Sequence, residues 1–141
     1  MRFWDSSAII PLMIVEAGSA RVRNWFDSDS EIIVWSLTRV ELLSAIARRR
    51  REDSRSAAML TVARRNILRA WDGWSEITTV ELVRRHAERL VESYPLRAAD
   101  ALQLGAALIA AEGDPTNLEL VTLDRSLADA AEREGFAVLG P

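Results

Sequence analysis

The chain has 141 residues, 49% hydrophobic and 28% charged, with a formal net charge of −3; this suits one domain with a full core and excludes an intrinsically disordered chain. It contains no cysteine, which excludes disulfide frameworks, thiolate metal sites, thiol catalysis and iron–sulfur clusters. All 18 basic side chains are arginine, so chemistry that needs a lysine ammonium is excluded as well.

Taken in order, Arg2 to Trp4 reads as a short buried strand ending at Asp5. Ser6 and Ser7 then supply N-cap chemistry for an apolar helix through about Val15, with Pro11 inside it. That apolar run is not expected to serve as a secretory signal core, because Asp5 lies in the would-be basic region and Glu16 ends the run; a cytoplasmic protein is expected. Gly18 and Ser19 break the chain before a second short helix through Val22, Trp25 and Phe26, and Ile32 to Trp35 is a β-branched strand. Thr38 caps a long helix whose core stripe reads Val40, Leu43 and Ala47, flanked by Leu42 and Ile46. Glu41, Ser44, Ala45 and Arg48 line a different stripe.

The polar connection Asp53 to Ser56 leads to a helix with Met59, Val62, Ala63 and Ile67 inward, closed by Asp72 and Gly73. Glu76 to Thr78 is a weak strand, and Thr79 caps a helix carrying Leu82, Val83, Ala87, Leu90 and Val91 that Tyr94 and Pro95 terminate. Leu96 to Gly113 is a helical segment made almost entirely of Ala, Leu, Ile and Gly around the carboxylate Asp100. On a helical period Asp100 shares a stripe with Leu104, Ala107 and Ala111, while Gly105, Ala106 and Ala110 permit close approach to neighbours. Its uncharged run, Ala101 to Ala111, falls short of the ~18 apolar residues of a membrane span. After the turn Gly113-Asp114-Pro115 come a strand, Leu118 to Thr122, a helix from Arg125 to Glu134 capped by Asp124, and a last edge strand, Phe136 to Leu139. Strands alternating with helices throughout predict one α/β domain over residues 1–141, with a central parallel sheet of about five strands and helices on both faces.

In such a sheet ligands bind at the carboxyl ends of the strands. Asp5 follows the first strand, Asp124 follows the strand ending at Thr122, Glu41 lies one helical turn beyond the second strand, and Asp100 sits in the first turn of its helix. Each has a plain alternative: Asp5 and Asp124 suit helix caps, and Glu41 suits a solvated surface. Asp100, amid apolar neighbours, calls for a partner, because an isolated buried carboxylate is too costly to stay ionised. Four converging carboxylates are stable when a hard divalent cation such as Mg²⁺ or Mn²⁺ neutralises them. Metal-assisted phosphodiester hydrolysis is the reaction class this predicts. A receiver domain would place a lysine at that edge, and a haloacid-dehalogenase-like phosphatase would place a second aspartate where Ser7 stands.

The segments FWDSSAII, TRVELLSAIAR, LRAADALQLGAAL and LVTLDRSLADAAEREGF, in that order across the chain, resemble PIN-domain proteins of the VapC toxin type. The resemblance implies a small PIN-like α/β fold acting as a Mg²⁺- or Mn²⁺-dependent endoribonuclease. It implies Asp5, Glu41, Asp100 and Asp124 as the metal-binding catalytic acids, supported by Ser7 and Thr122. It also implies a homodimer, and a cognate VapB-type antitoxin laid across the active-site groove. If the mechanism follows the family, RNA products carry a 5′-phosphate and a 3′-hydroxyl.

A net charge of −3 does not itself advertise RNA binding, yet Arg48 to Arg51 form a basic block and Arg97 precedes Asp100 by three residues. Arg48 and Arg97 are the candidate RNA contacts. The five tryptophans are read as core or dimer contacts before stacking platforms, and His86 is read as a surface residue without a role. The alternative function is a catalytically silent PIN-like module acting through a protein partner.

Overall fold

Five strands, β1 (Arg2–Trp4), β2 (Ile32–Trp35), β3 (Ser75–Ile77), β4 (Glu119–Val121) and β5 (Ala137–Leu139), form one wholly parallel sheet in the order β3-β2-β1-β4-β5 in the computed structural model, which describes residues 1–141. The expected parallel sheet with helices on both faces is what forms. Side chains alternate between the faces with the period of two that a strand imposes. Phe3, Ile33, Trp35 and Leu120 enter one core, and Trp4, Ile32, Val34 and Val121 enter the other.

The second core is roofed by α1 (Ser6–Met13), α2 (Ser19–Ser28), α3 (Thr38–Glu52) and α4 (Ala57–Trp71). The first is roofed by α5 (Val80–Ser93), α6 (Ala98–Ala110) and α7 (Arg125–Arg133). Burial on both faces explains why the inner strand β2 reads as a continuous apolar run, whereas the edge strand β3, Ser75–Ile77, is largely exposed and reads only weakly as a strand. No helix is long and apolar enough to cross a membrane.

Helix phase is where the structure departs from the sequence reading. In α3 the buried stripe is Thr38, Leu42 and Ile46, whereas Val40 is 62% exposed; the residues read as flanking are the inward ones. In α4 Leu60, Ala63, Ile67 and Trp71 are buried while Met59 and Val62 face outward, and in α5 Val83, Ala87 and Leu90 are buried while Leu82 and Val91 are exposed. α3 packs on β2 and α4, α4 on α3 and α1, and α5 on α6; each buries a narrower arc than its apolar residues cover, so periodicity alone does not choose the phase.

The ends of α1 and α3 also shift. Asp5, rather than Ser6 or Ser7, caps α1, accepting from the Ser7 amide at 3.2 Å, and Thr38 is the first residue of α3 rather than its cap. α1 stops at Met13 because its last carbonyls have partners from α2: Ser19 Oγ donates to the Pro11 carbonyl at 2.6 Å and Arg23 to that of Leu12 at 2.9 Å. Trp4, Trp35 and Trp71 are buried and Trp25 and Trp74 half-buried, which leaves no tryptophan as an exposed stacking platform.

From β1 the chain winds outward through β2 and β3 to one edge, then returns to place β4 and β5 on the other side of β1. The winding therefore reverses between β1 and β4. The crevice outside the carboxyl ends of those two strands is the topological switch point, where sheets of this kind bind ligands.

Candidate active site

Four polar side chains are buried in the whole chain: Asp5 (3% exposed), Thr38, Gln103 and Thr122. All four belong to one hydrogen-bonded network around the switch point. Burying polar groups costs free energy unless each finds a partner, so their concentration at one place marks it as the site.

Asp5 leaves β1 beside β4, and its backbone amide donates to the Val121 carbonyl at 3.0 Å. Its Oδ2 accepts from the hydroxyls of Ser7 and Thr122, the latter at 2.9 Å, and from the Ser7 amide. Thr122 Oγ1 in turn accepts from the Asp124 amide at 3.0 Å, and Ser7 Oγ from the Leu123 amide at 2.8 Å. Two hydroxyls thus knit the ends of β1 and β4 together across the crevice. Asp124 caps α7, its Oδ1 accepting from the Leu127 amide at 2.8 Å.

Glu41 is brought in by the first turn of α3. Its Oε2 accepts from Ser6 Oγ at 2.7 Å and from Gln103 Nε2 at 3.0 Å. Gln103 also donates to Thr38 Oγ1 at 2.8 Å, and Thr38 donates back to Gln103 Oε1 at 3.1 Å. One turn before Gln103 on α6 stands Asp100, half-buried at the helix N-terminus, with Leu104, Ala107 and Ala111 of its stripe buried as expected.

The electrostatics show that these acids share one field. Burial pushes the Asp5 carboxyl above its ordinary range, against the downward pull of its Ser7 and Thr122 hydrogen bonds. Glu41 is raised by burial and by the charges of Asp5 and Asp100. Asp100 is raised by burial and by the charges of Asp124 and Asp5, with Arg97 pulling weakly the other way. None of the four forms a salt bridge; the chain's ion pairs lie elsewhere.

This donor set fits a hard divalent cation. Asp5, Glu41 and Asp124 each have one carboxylate oxygen held by protein donors, while the other is left with at most a long contact, 3.4 Å from Ser6 Oγ to Asp5 Oδ1. No three acids close on one point as a cage, which matches the habit of Mg²⁺ to take one or two carboxylates directly and keep several waters.

Over residues 2–133 the sequence matches the PIN domain family. The chain belongs to that family. It is 32% identical over 140 residues to two curated Mycobacterium tuberculosis proteins, Ribonuclease VapC45 (strain CDC 1551 / Oshkosh) and Ribonuclease VapC49 (strain H37Rv), a match covering 96% of this chain and 92% of each relative. Among solved structures, this PIN domain superposes on a chain of a toxin–antitoxin complex from Klebsiella pneumoniae with a TM-score of 0.68 at 15% identity, covering 99% of this chain and 96% of that one.

Gln103 and Thr38 are absent from the sequence reading as site residues. Their signal was faint: Gln103 is the one polar residue between Asp100 and Glu112 on an otherwise apolar helix. Of the arginines singled out, Arg97 is exposed at the start of α6 and Arg48 is exposed on α3. His86 is half-buried on α5.

Gln103 orients Glu41 without itself being an acid. Gln103→Ala removes one of two donors to Glu41 Oε2 and strips the buried Thr38 hydroxyl of its partner. The expected result is a fall of about ten- to a hundred-fold in activity or metal affinity, with Gln103→Glu unable to rescue, because a further carboxylate would face Glu41. Wild-type titration of the alanine variant with Mn²⁺ would count against this role.

Proposed function

We propose that this PIN domain is a Mg²⁺- or Mn²⁺-dependent endoribonuclease and the toxin half of a VapBC-type toxin–antitoxin pair. The observation that carries the reading is the set of four carboxylates at one sheet edge, three with an oxygen uncommitted and none ion-paired. Support comes from curated relatives of nearly the same length that are named Ribonuclease VapC.

Asp5, Glu41, Asp100 and Asp124 would hold the cation between them, one or two directly and the others through its water. When bound, it would supply an activated water and charge stabilisation on the phosphoryl oxygens. The chain's own residues set the stage for this. Ser7 and Thr122 fix the Asp5 carboxylate in one rotamer, Ser6 and Gln103 fix that of Glu41, and the first turn of α6 presents Asp100 with its helix dipole favouring the negative charge. Burial of the acids keeps their field strong by limiting screening.

A VapB-type antitoxin is the proposed partner, laid across the acid-lined crevice and offering it a basic side chain; a homodimer is the proposed assembly. Leu37 and Val40, flanking Glu41 in sequence, are 45% and 62% exposed, apolar surface of the kind a protein partner covers. The direct test is incubation of the antitoxin-free protein with total cellular RNA in Mg²⁺, in Mn²⁺ and in chelator. Discrete fragments in the metal lanes alone are expected. Intact RNA in all three, with no metal-dependent change in stability, would favour the catalytically silent module.

A further inference from the structure

Charge in this chain is segregated. Residues 38–72, the α3–α4 hairpin, carry nine of the 18 arginines against four acids, a local charge of +5 in a chain whose total is −3. α4 contains no acid at all. Elsewhere four of the nine arginines pair with an acid, Arg2 with Glu119, Arg84 with Glu88, Arg85 with Glu81 and Arg89 with Glu134, whereas on the hairpin only Arg49 does so, with Glu16. On the hairpin, Arg50, Arg64, Arg65 and Arg69 line one open groove of about 570 Å³ between α3 and α4, and none of them forms a salt bridge. Asp72, at the groove's end, is its only acid.

The spacing is that of a single face. Arg65 and Arg69 lie four residues apart on α4, with Arg64 beside them and Arg50 facing from the last turns of α3. Four exposed guanidiniums without an acid partner in one groove leave a local positive field that attracts an anion. Guanidinium forks suit phosphate oxygens.

The groove is also separate from the acids. Glu41 and Arg50 stand on the same helix nine residues apart, which is about 14 Å along its axis at 1.5 Å per residue. That is too far for a nucleotide at the carboxylates to touch the arginines.

We propose that the α3–α4 groove is an exosite for the phosphodiester backbone of RNA, gripping the substrate strand several nucleotides from the bond being cut. The inference rests on the ribonuclease reading and names where affinity for the substrate resides. It assigns binding to Arg50, Arg64, Arg65 and Arg69 and leaves the reacting bond to the acids.

The test compares Arg65→Gln/Arg69→Gln with Arg84→Gln/Arg85→Gln, a control that removes the same charge from exposed, acid-paired positions on α5. Binding is read with the Asp100→Asn background, so that no strand is cut, using polyuridylate and the dinucleotide UpU across a salt series. For polyuridylate the α4 pair is expected to lose about tenfold or more in affinity. Its plot of log affinity against log salt should flatten by about 0.7 for each single-strand phosphate that the variant no longer neutralises. The α5 pair should match its parent, and UpU, too short to reach the groove, should not distinguish the variants.

In the active background the α4 pair should raise KM for total cellular RNA with kcat retained. Equal losses in both pairs, or none in either, overturn the exosite while metal-dependent cleavage still stands. No metal-dependent cleavage by the unmodified chain overturns the ribonuclease reading instead. Wild-type affinity for polyuridylate in the α4 pair, together with loss of a co-purifying protein partner, would reassign the groove to an acidic protein segment.

Discussion

Asp100→Asn is expected to retain the fold and lose RNA cleavage by about a hundred- to a thousand-fold, the scale of removing one preorganised electrostatic contact from a reaction centre. The amide keeps the shape of the carboxylate but removes its charge from a cluster in which Asp5 and Asp124 already repel it. In chelator the variant should therefore be at least as stable as the unmodified chain at neutral pH. Mg²⁺ should raise the melting temperature of the unmodified chain and do so less for the variant, since a cation stabilises the folded state only through its affinity for it. Full cleavage by Asp100→Asn would sink the site assignment.

The same cluster sets a pH dependence with a defined sign. Asp5, Glu41 and Asp100 all bind a proton more tightly in the folded chain than at their ordinary values of 3.8 and 4.5. The stability tied to their protonated forms is fully present below those ordinary values. It is lost as pH rises through the raised ones. Asp29 is held low by its pairing with the N-terminal amino group, Asp114 by hydrogen bonds from Thr116, and Glu134 by Arg89, so their contributions run the other way and fail as pH falls. The difference in melting temperature between Asp100→Asn and the unmodified chain cancels these opposing groups. Measured in chelator, the advantage of the variant should grow from acid toward neutral pH, and an advantage that shrinks would contradict the shared field.

Gly105→Val is expected to destabilise the fold by about 3 kcal/mol, the upper range for overpacking a core. At this chain length that is a fall of about 10 °C in melting temperature. A Cβ at Gly105 would stand 2.8 Å from the Val83 carbonyl, 3.3 Å from His86 Cβ and 3.4 Å from the Ala87 amide. Two of those three neighbours are backbone atoms of α5, which a rotamer change does not move. Relief requires α6 to slide off α5, and α6 carries both Asp100 and Gln103. Activity should therefore fall further than the loss of folded protein explains. Gly113→Ala is the counterpart: nothing lies within 4 Å of its Cβ, but its φ of 87° is left-handed, and a strain of about 1 kcal/mol is expected with the site untouched. A Gly105→Val melting curve that matches the unmodified chain would mean that the two helices are not in backbone contact.

The packing at Gly105 also marks how far a linear reading reaches. Small residues at Gly105, Ala106 and Ala110 announce a helix that packs closely, but the sequence does not name α5 as the helix it meets. In the same way, α3 offers two overlapping apolar stripes, and only its seat on the sheet selects Thr38, Leu42 and Ile46 over Val40. Thr38 reads from sequence as a helix cap. It becomes part of the site only because α6 brings Gln103 against it from 65 residues away.

What the sequence determined by itself is local: short apolar runs of strand length, amphipathic helices between them, and acids placed where strands end or helices begin. Backbone geometry imposes those patterns within a few residues, so they survive without knowledge of the fold. The tertiary structure alone decided the strand order that sets β1 beside β4, the reversal of winding between them, and hence the hydroxyl of Thr122 on the carboxylate of Asp5 across 117 residues. It alone decided that Arg50 of α3 joins Arg64, Arg65 and Arg69 of α4 in one groove with a single acid at its end. Apolar periodicity says which surfaces must be covered; which surfaces cover one another is settled by packing and hydrogen bonding between residues distant in sequence.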